Sequence, residues 1–160
     1  MNIKIITVGT LKEQYLKDAA DEYIKRLSRY AKCEMIEINE SKLPDDPSEG
    51  DVAKALLSEA KQIEAKCGKS KDCIFALCVE GMQKTSEDFA NTVSKATVNG
   101  KDTLTFIIGS SHGLQEAIKS TADYRLSFSK MTFPHQLMRV ILLEQVYRAM
   151  QINNGGKYHK

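Results

Sequence analysis

Cys73-Ile74-Phe75-Ala76-Leu77-Cys78-Val79 is a nearly unbroken apolar run that stops at Glu80-Gly81. A strand that is apolar on successive residues, rather than on alternate ones, has to be covered on both faces, as in a parallel sheet with helices above and below. Working outward, Thr103 to Ile108 is a similar run that ends at Gly109, and Ile3 to Val8 is another that ends at Gly9. Cys33 to Ile38 alternates apolar and polar residues, and Tyr124 to Ser129 adds a fifth strand-like segment. Between them lie segments of helical period. Lys12 to Tyr30 repeats through Leu16, Ala20, Tyr23, Ile24 and Leu27, and Asp51 to Lys66 repeats through Val52, Ala55, Leu56, Ala60 and Ile63. Ser86 to Val98 forms a helix that stops at Asn99-Gly100, a short helix follows Gly113, and a long one runs from about Pro134 to Ile152. The Pro/Asp-rich stretch from Asn39 to Gly50 is a loop too short to separate domains. The alternation predicts an α/β fold, a mostly parallel sheet flanked by helices, in a single domain over residues 1–160.

Composition agrees with that picture. The chain has 160 residues, is 42% hydrophobic and 28% charged, and holds 9 Gly and 3 Pro. These values suit one folded domain and exclude collagen-like, disordered and low-complexity classes. No apolar run approaches the roughly 18 residues of a membrane span. Met1-Asn2-Ile3-Lys4 leads straight into a strand rather than a signal peptide, so a cytoplasmic protein is expected. Cys33, Cys67, Cys73 and Cys78 contain no Cys-x-x-Cys pair and stand at no metal spacing with a histidine. Neither disulfides nor a metal site is expected.

The net charge is only +2, too small to announce a nucleic-acid binder. Its distribution is uneven: residues 125–160 hold six basic side chains against one acid, Glu144, leaving −3 for residues 1–124. That concentration is either an electrostatic footprint for a polyanion or an ordinary solvated surface. The last helix is apolar nearly all round, with Met138, Leu142, Val146, Ala149 and Met150 on one face and Leu137, Val140, Ile141 and Tyr147 over much of the rest. Such a helix is deeply buried or faces a partner subunit, and for a chain this small a dimer interface is expected.

Ligands of parallel α/β sheets collect at the carboxyl ends of strands, and three such places stand out. The first is Leu77 to Gly81. The second is Ile108-Gly109-Ser110-Ser111-His112-Gly113-Leu114, whose glycines permit close backbone approach; it is neither a P-loop nor a dinucleotide fingerprint. The third is Leu126-Ser127-Phe128-Ser129-Lys130-Met131-Thr132-Phe133-Pro134-His135-Gln136, which either holds a ligand or provides a Thr132 helix cap and core aromatics. Glu144 and Arg148 are spaced as a helix-face ion pair that also suits an interface or an active site. Tyr158-His159-Lys160 reads as a frayed end unless Gly155-Gly156 folds it back.

These segments resemble one known family. Leu126 to Gln136, then Arg139-Val140, Leu143-Glu144-Gln145-Val146-Tyr147-Arg148-Ala149 and the terminal Tyr158-His159-Lys160 are similar to the ribosomal large-subunit methyltransferase H group of the SPOUT methyltransferases. The resemblance covers essentially the whole chain, from Val8-Gly9-Thr10 onward. It implies a C-terminal trefoil knot, S-adenosylmethionine as methyl donor, and a homodimer. The implied substrate is the N3 position of a pseudouridine in the helix 69 loop of 23S ribosomal RNA within the ribosome. It places the cofactor on Leu77, Gly109, Phe128, Ser129, Lys130, Met131, Thr132 and Phe133. Two positions depart from the family pattern: Ser110 stands where Gly-Gly is usual, and Met82 where Gly-Lys is common. On this reading the proton-accepting candidates are His159 and Glu144, followed by His135. Tyr158 stacks on a base, and Arg139, Arg148, Lys157 and Lys160 hold RNA phosphates. A SPOUT enzyme of another RNA nucleotide, or a non-catalytic ribosome-binding factor, is the alternative.

Overall fold

The computed structural model describes residues 1–68 and 71–160. In chain order the elements are β1 (Asn2–Val8), α1 (Gln14–Leu27), β2 (Lys32–Ile38), α2 (Glu49–Lys66), β3 (Asp72–Gln83), α3 (Ser86–Val98), β4 (Thr103–Ile108), α4 (Glu116–Thr121), β5 (Tyr124–Ser127) and α5 (His135–Asn153). The strands form one sheet in the order β2-β1-β4-β3-β5, and each neighbouring pair is parallel.

The apolar runs occupy its centre, as their lack of alternation requires. Ile3, Ile5, Phe75, Leu104 and Phe106 point to one face, where Leu16, Ala20 and Leu27 of α1, Phe89 and Val93 of α3, and Leu142, Leu143 and Val146 of α5 cover them. Ile6, Val8, Ala76 and Ile107 point to the other face and meet Ala60 and Ile63 of α2 and Ile118 of α4. Phe75 stacks on Phe106 and Tyr124 at centroid distances of 4.8 and 4.9 Å. Helix starts follow local chemistry: Ser48 and Asp51 form a reciprocal capping box on α2, and Thr85 caps α3 through the Asp88 N–H.

Three details differ from the sequence reading. β3 does not stop at Val79: it bulges between Leu77 and Met82 and rejoins β5, so that both residues pair with Leu126. Gly81 makes this possible, because a Cβ there would meet the backbone of Arg125 and Leu126 at 2.8 Å. β5 ends at Ser127, where the chain turns: Ser127 Oγ donates to the Ser129 carbonyl, and Met131 N–H donates to Ser129 Oγ. Pro134 is the residue before α5 rather than inside its first turn, and no side chain caps that helix, so Thr132 is not a cap.

Candidate cofactor cavity and C-terminal tail

The three strand-end segments converge on one cavity of about 590 Å³. Leu77, Gly109, Phe128, Ser129, Met131, Thr132 and Phe133 all line it, while Lys130 does not and points into solvent. Apolar walls come from Leu77, Leu114, Leu126, Phe128 and Met138. Gly109 is required by the turn itself: a Cβ would lie 2.3 Å from the Gly113 carbonyl oxygen. The turn closes through a Gly113 N–H bond to the Ser110 carbonyl, with Gly113 at φ 86°. Ser110 sits in this turn without backbone strain, because positive φ occurs among the described residues only at glycines. Lys119 reaches the cavity rim, clamped by Glu80 at 2.6 Å and Glu116 at 3.0 Å. These contacts raise its pKa and, led by the Lys119 hydrogen bond, hold Glu80 below the usual carboxylate range. Leu114 closes the second strand-end segment, whereas Lys119 and Met138 lie outside the motif segments and reach the cavity from α4 and α5.

The C-terminal tail folds back instead of fraying. Gly155 takes φ 67°, and Gly156 N–H donates to the Gln151 carbonyl at 2.8 Å. Tyr158 then donates its hydroxyl to Glu144 at 3.1 Å, and the Arg148 guanidinium lies 4.7 Å from its ring centroid. Burial, with the hydroxyl's bonds to Tyr23 and Glu144, pushes the Tyr158 pKa up. Arg148 binds Glu144 through Nε and a terminal nitrogen, the helix-face pair expected from spacing. His159 is gripped from two sides, by Arg148 at 3.2 Å on Nδ1 and by Glu87 at 2.7 Å on Nε2. A guanidinium can only donate, so Nδ1 accepts and Nε2 carries the hydrogen that Glu87 receives. The His159 bond is the main reason that the Glu87 carboxyl sits at about 2. Lys157 and Lys160 are exposed.

The tail is linked to the large cavity through a second one. A second cavity of about 210 Å³ shares Leu126, Ser127 and Phe128 with the first and is bounded on its far side by Ser86 and Gln145. Gln145 Nε2 donates to Glu144 at 2.7 Å, so it links this cavity to the Glu144–Arg148–Tyr158 cluster.

Arg139 is a correction to the expected phosphate contacts. Its side chain is 0% exposed, bound to Glu37 at 2.6 Å and to the Val8 and Gly9 carbonyls at 3.2 and 2.8 Å. A guanidinium enclosed in this way cannot reach a phosphate; it ties the start of α5 to the end of β1. His135 stands in the cavity wall, close to Gly9. Among the described residues no cluster of three His, Cys, Asp or Glu side chains could hold a metal ion, and the four cysteines are free. No described helix is long and apolar enough to cross a membrane.

The family model described as "Predicted SPOUT methyltransferase" matches residues 1–159. The chain belongs to the SPOUT methyltransferase family. Proteins named "Ribosomal RNA large subunit methyltransferase H" from Streptococcus thermophilus and Leuconostoc citreum are 50% and 49% identical to it, over 100% of both chains in each case. Among solved structures, a "probable methylase family protein" of Haemophilus influenzae superposes with a TM-score of 0.54 at 16% identity, covering 99% of this chain and 70% of that one. SPOUT methyltransferases use S-adenosylmethionine, and the large cavity suits it. Its volume lies within the roughly 300–1,000 Å³ of small-molecule sites. Its apolar walls match a flat adenine, and the backbone-rich turns at 109–113 and 127–133 offer donors and acceptors for the polar edges.

Proposed function

We propose that this SPOUT methyltransferase methylates N3 of a pseudouridine in the helix 69 loop of 23S ribosomal RNA, in the cytoplasm and on the assembled ribosome. The observation that carries this reading is the half-identity, without gaps in coverage, to relatives named for the large-subunit RNA. The docked tail supports it, since it gathers an aromatic ring and an imidazole around the Arg148 guanidinium, joined through Gln145 to a second cavity that shares walls with the large one.

Leu77, Gly109 and the 128–133 turn hold S-adenosylmethionine, which supplies an electrophilic methyl group when bound. Lys130, exposed at the same turn, meets solvent or RNA rather than the cavity interior. Tyr158 offers its ring to the acceptor base. Glu144 is committed to Arg148 and Tyr158, so its role is to hold them. His159 has a lone pair on Nδ1, which becomes free to take the ring-nitrogen proton once Arg148 turns to a phosphate. Lys157 and Lys160 supply further phosphate contacts, and the near-neutral chain relies on the ribosome's shape for the rest of its affinity.

The active unit in this proposal is a homodimer, knotted as a trefoil over its C-terminal half. Apolar side chains left in solvent around the cavity mouth and α5 support a partner subunit: Val79 48%, Met82 65%, Met131 73% and Leu137 39% exposed. The test is methyl transfer from labelled S-adenosylmethionine to large subunits, free 23S RNA and tRNA. Label in large-subunit RNA, mapped to a pseudouridine N3, is expected. Label confined to tRNA, or ribosome binding with no transfer, overturns the proposal.

A further inference from the structure

We infer that Glu59 is a positioning residue for the cofactor turn, acting through Ser110. The inference rests on the cofactor reading of the large cavity. Glu59 stands midway along α2 and is 3% exposed, yet among the described residues its hydrogen-bond partners are both neutral. One carboxylate oxygen accepts the Ser41 N–H at 3.0 Å, and the other accepts the Ser110 hydroxyl at 3.1 Å. Three separate segments therefore meet on one buried carboxylate: the loop after β2, the middle of α2, and the turn after β4.

Ser110 has two faces. It lines the cofactor cavity and is itself only 8% exposed. The turn it opens closes mainly on itself, through the Ser110–Gly113 bridge, and carries exposed Ser111 and His112 on its outer side. The bond from Ser110 Oγ to Glu59 ties this self-closed turn to the body of the protein. A buried carboxylate with only neutral donors loses heavily when either donor leaves, so the bond is held firmly. A residue without a side-chain hydroxyl at 110 cannot make it, and Ser110 fills the position without strained backbone.

Without the anchor, the turn has to be ordered when the cofactor arrives, and the apparent affinity falls by the population lost. The test is calorimetric titration of the full chain with S-adenosylmethionine. Ser110→Ala and Glu59→Ala are each expected to raise Kd about tenfold, and the double substitution no further than either alone. Glu59→Gln keeps an acceptor for Ser41 N–H and an amide donor for the Ser110 hydroxyl, so its Kd is expected within about twofold of the parent. In methyl-transfer assays the KM for S-adenosylmethionine rises with kcat unchanged, a split that general destabilisation does not produce. If Glu59→Ala does not fold, Ser110→Ala and Glu59→Gln still decide. Parent-like Kd in Ser110→Ala, Ser110→Ala-like Kd in Glu59→Gln, or effects that multiply in the double variant overturn this inference alone. Absence of binding by the parent chain overturns the cofactor reading and this one with it.

Discussion

At Arg139 the chain takes a guanidinium fully out of water in the second turn of a helix. Burial lowers its pKa, and the bond and charge of Glu37 work in the opposite direction. Removing the guanidinium strips the Val8 and Gly9 carbonyls of their donor and empties a buried site, a loss of about 1–3 kcal/mol for the unsatisfied groups alone, while the partly exposed Glu37 returns to water. Arg139→Ala is therefore expected to lower the urea midpoint steeply, whereas Lys157→Ala changes stability by less than about 0.5 kcal/mol and weakens ribosome binding instead. Sequence alone offers no way to separate these two basic residues, since both follow the apolar strands and both sit in the basic quarter. Gly109 is legible in a different way. A turn with glycines four apart announces close packing, and Gly109→Ala, whose Cβ would lie 2.3 Å from the Gly113 oxygen, is expected to abolish cofactor binding measured by calorimetry.

Among elements, the tail is held by bonds that can be titrated. Glu87 sits at about 2, below its ordinary 4.5, chiefly because His159 hydrogen-bonds to it. A depressed carboxyl contributes stability that is present above its unfolded value and is lost as pH falls through its folded value. Docking of the tail is therefore expected to weaken between about pH 4.5 and pH 2, read from the Tyr158 ring resonances, while α3 and α5 keep their amide protection. A chain ending at Gly156 is expected to bind S-adenosylmethionine like the full chain and to methylate ribosomes at least about a hundredfold more slowly, as for loss of a general base. Normal methylation by that shortened chain removes Tyr158 and His159 from the proposed machinery. Element boundaries were readable where punctuation is local. Thr103–Ile108 and Ser86–Val98 match their sequence limits, because Gly109, Asn99-Gly100 and the Thr85 cap act within a few residues. β3 was read too short, because its continuation past Gly81 depends on β5, forty-odd residues away.

For the whole molecule, the sheet order β2-β1-β4-β3-β5 brings the ends of β3, β4 and β5 side by side, and that adjacency makes one cavity of three dispersed loops. The same arrangement leaves apolar residues around the cavity mouth in solvent. Sedimentation at micromolar concentration is expected to give twice the 17.9 kDa chain mass, with Leu137→Asp shifting it toward monomer. A monomeric parent chain would remove the homodimer from the proposed function. Burial also sets reactivity: desolvation pushes Cys33 and Cys73 up to about 11. Alkylation of these two thiols is expected to remain slow at neutral pH until the chain is unfolded.

The sequence by itself determined the layering, because continuous apolar runs can be satisfied only in a sheet covered on both faces, and helical periods between them supply the covers. It also marked the three loops that line the large cavity, because strand ends and glycine turns are local signals. Tertiary structure alone decided which charges remain free. Arg139 was withdrawn into Glu37 and two carbonyls, Arg148 was shared between Glu144 and His159, and Glu59 was buried beneath Ser110. A side chain's partners come from distant segments, and its position in the chain carries no record of which of them it will meet.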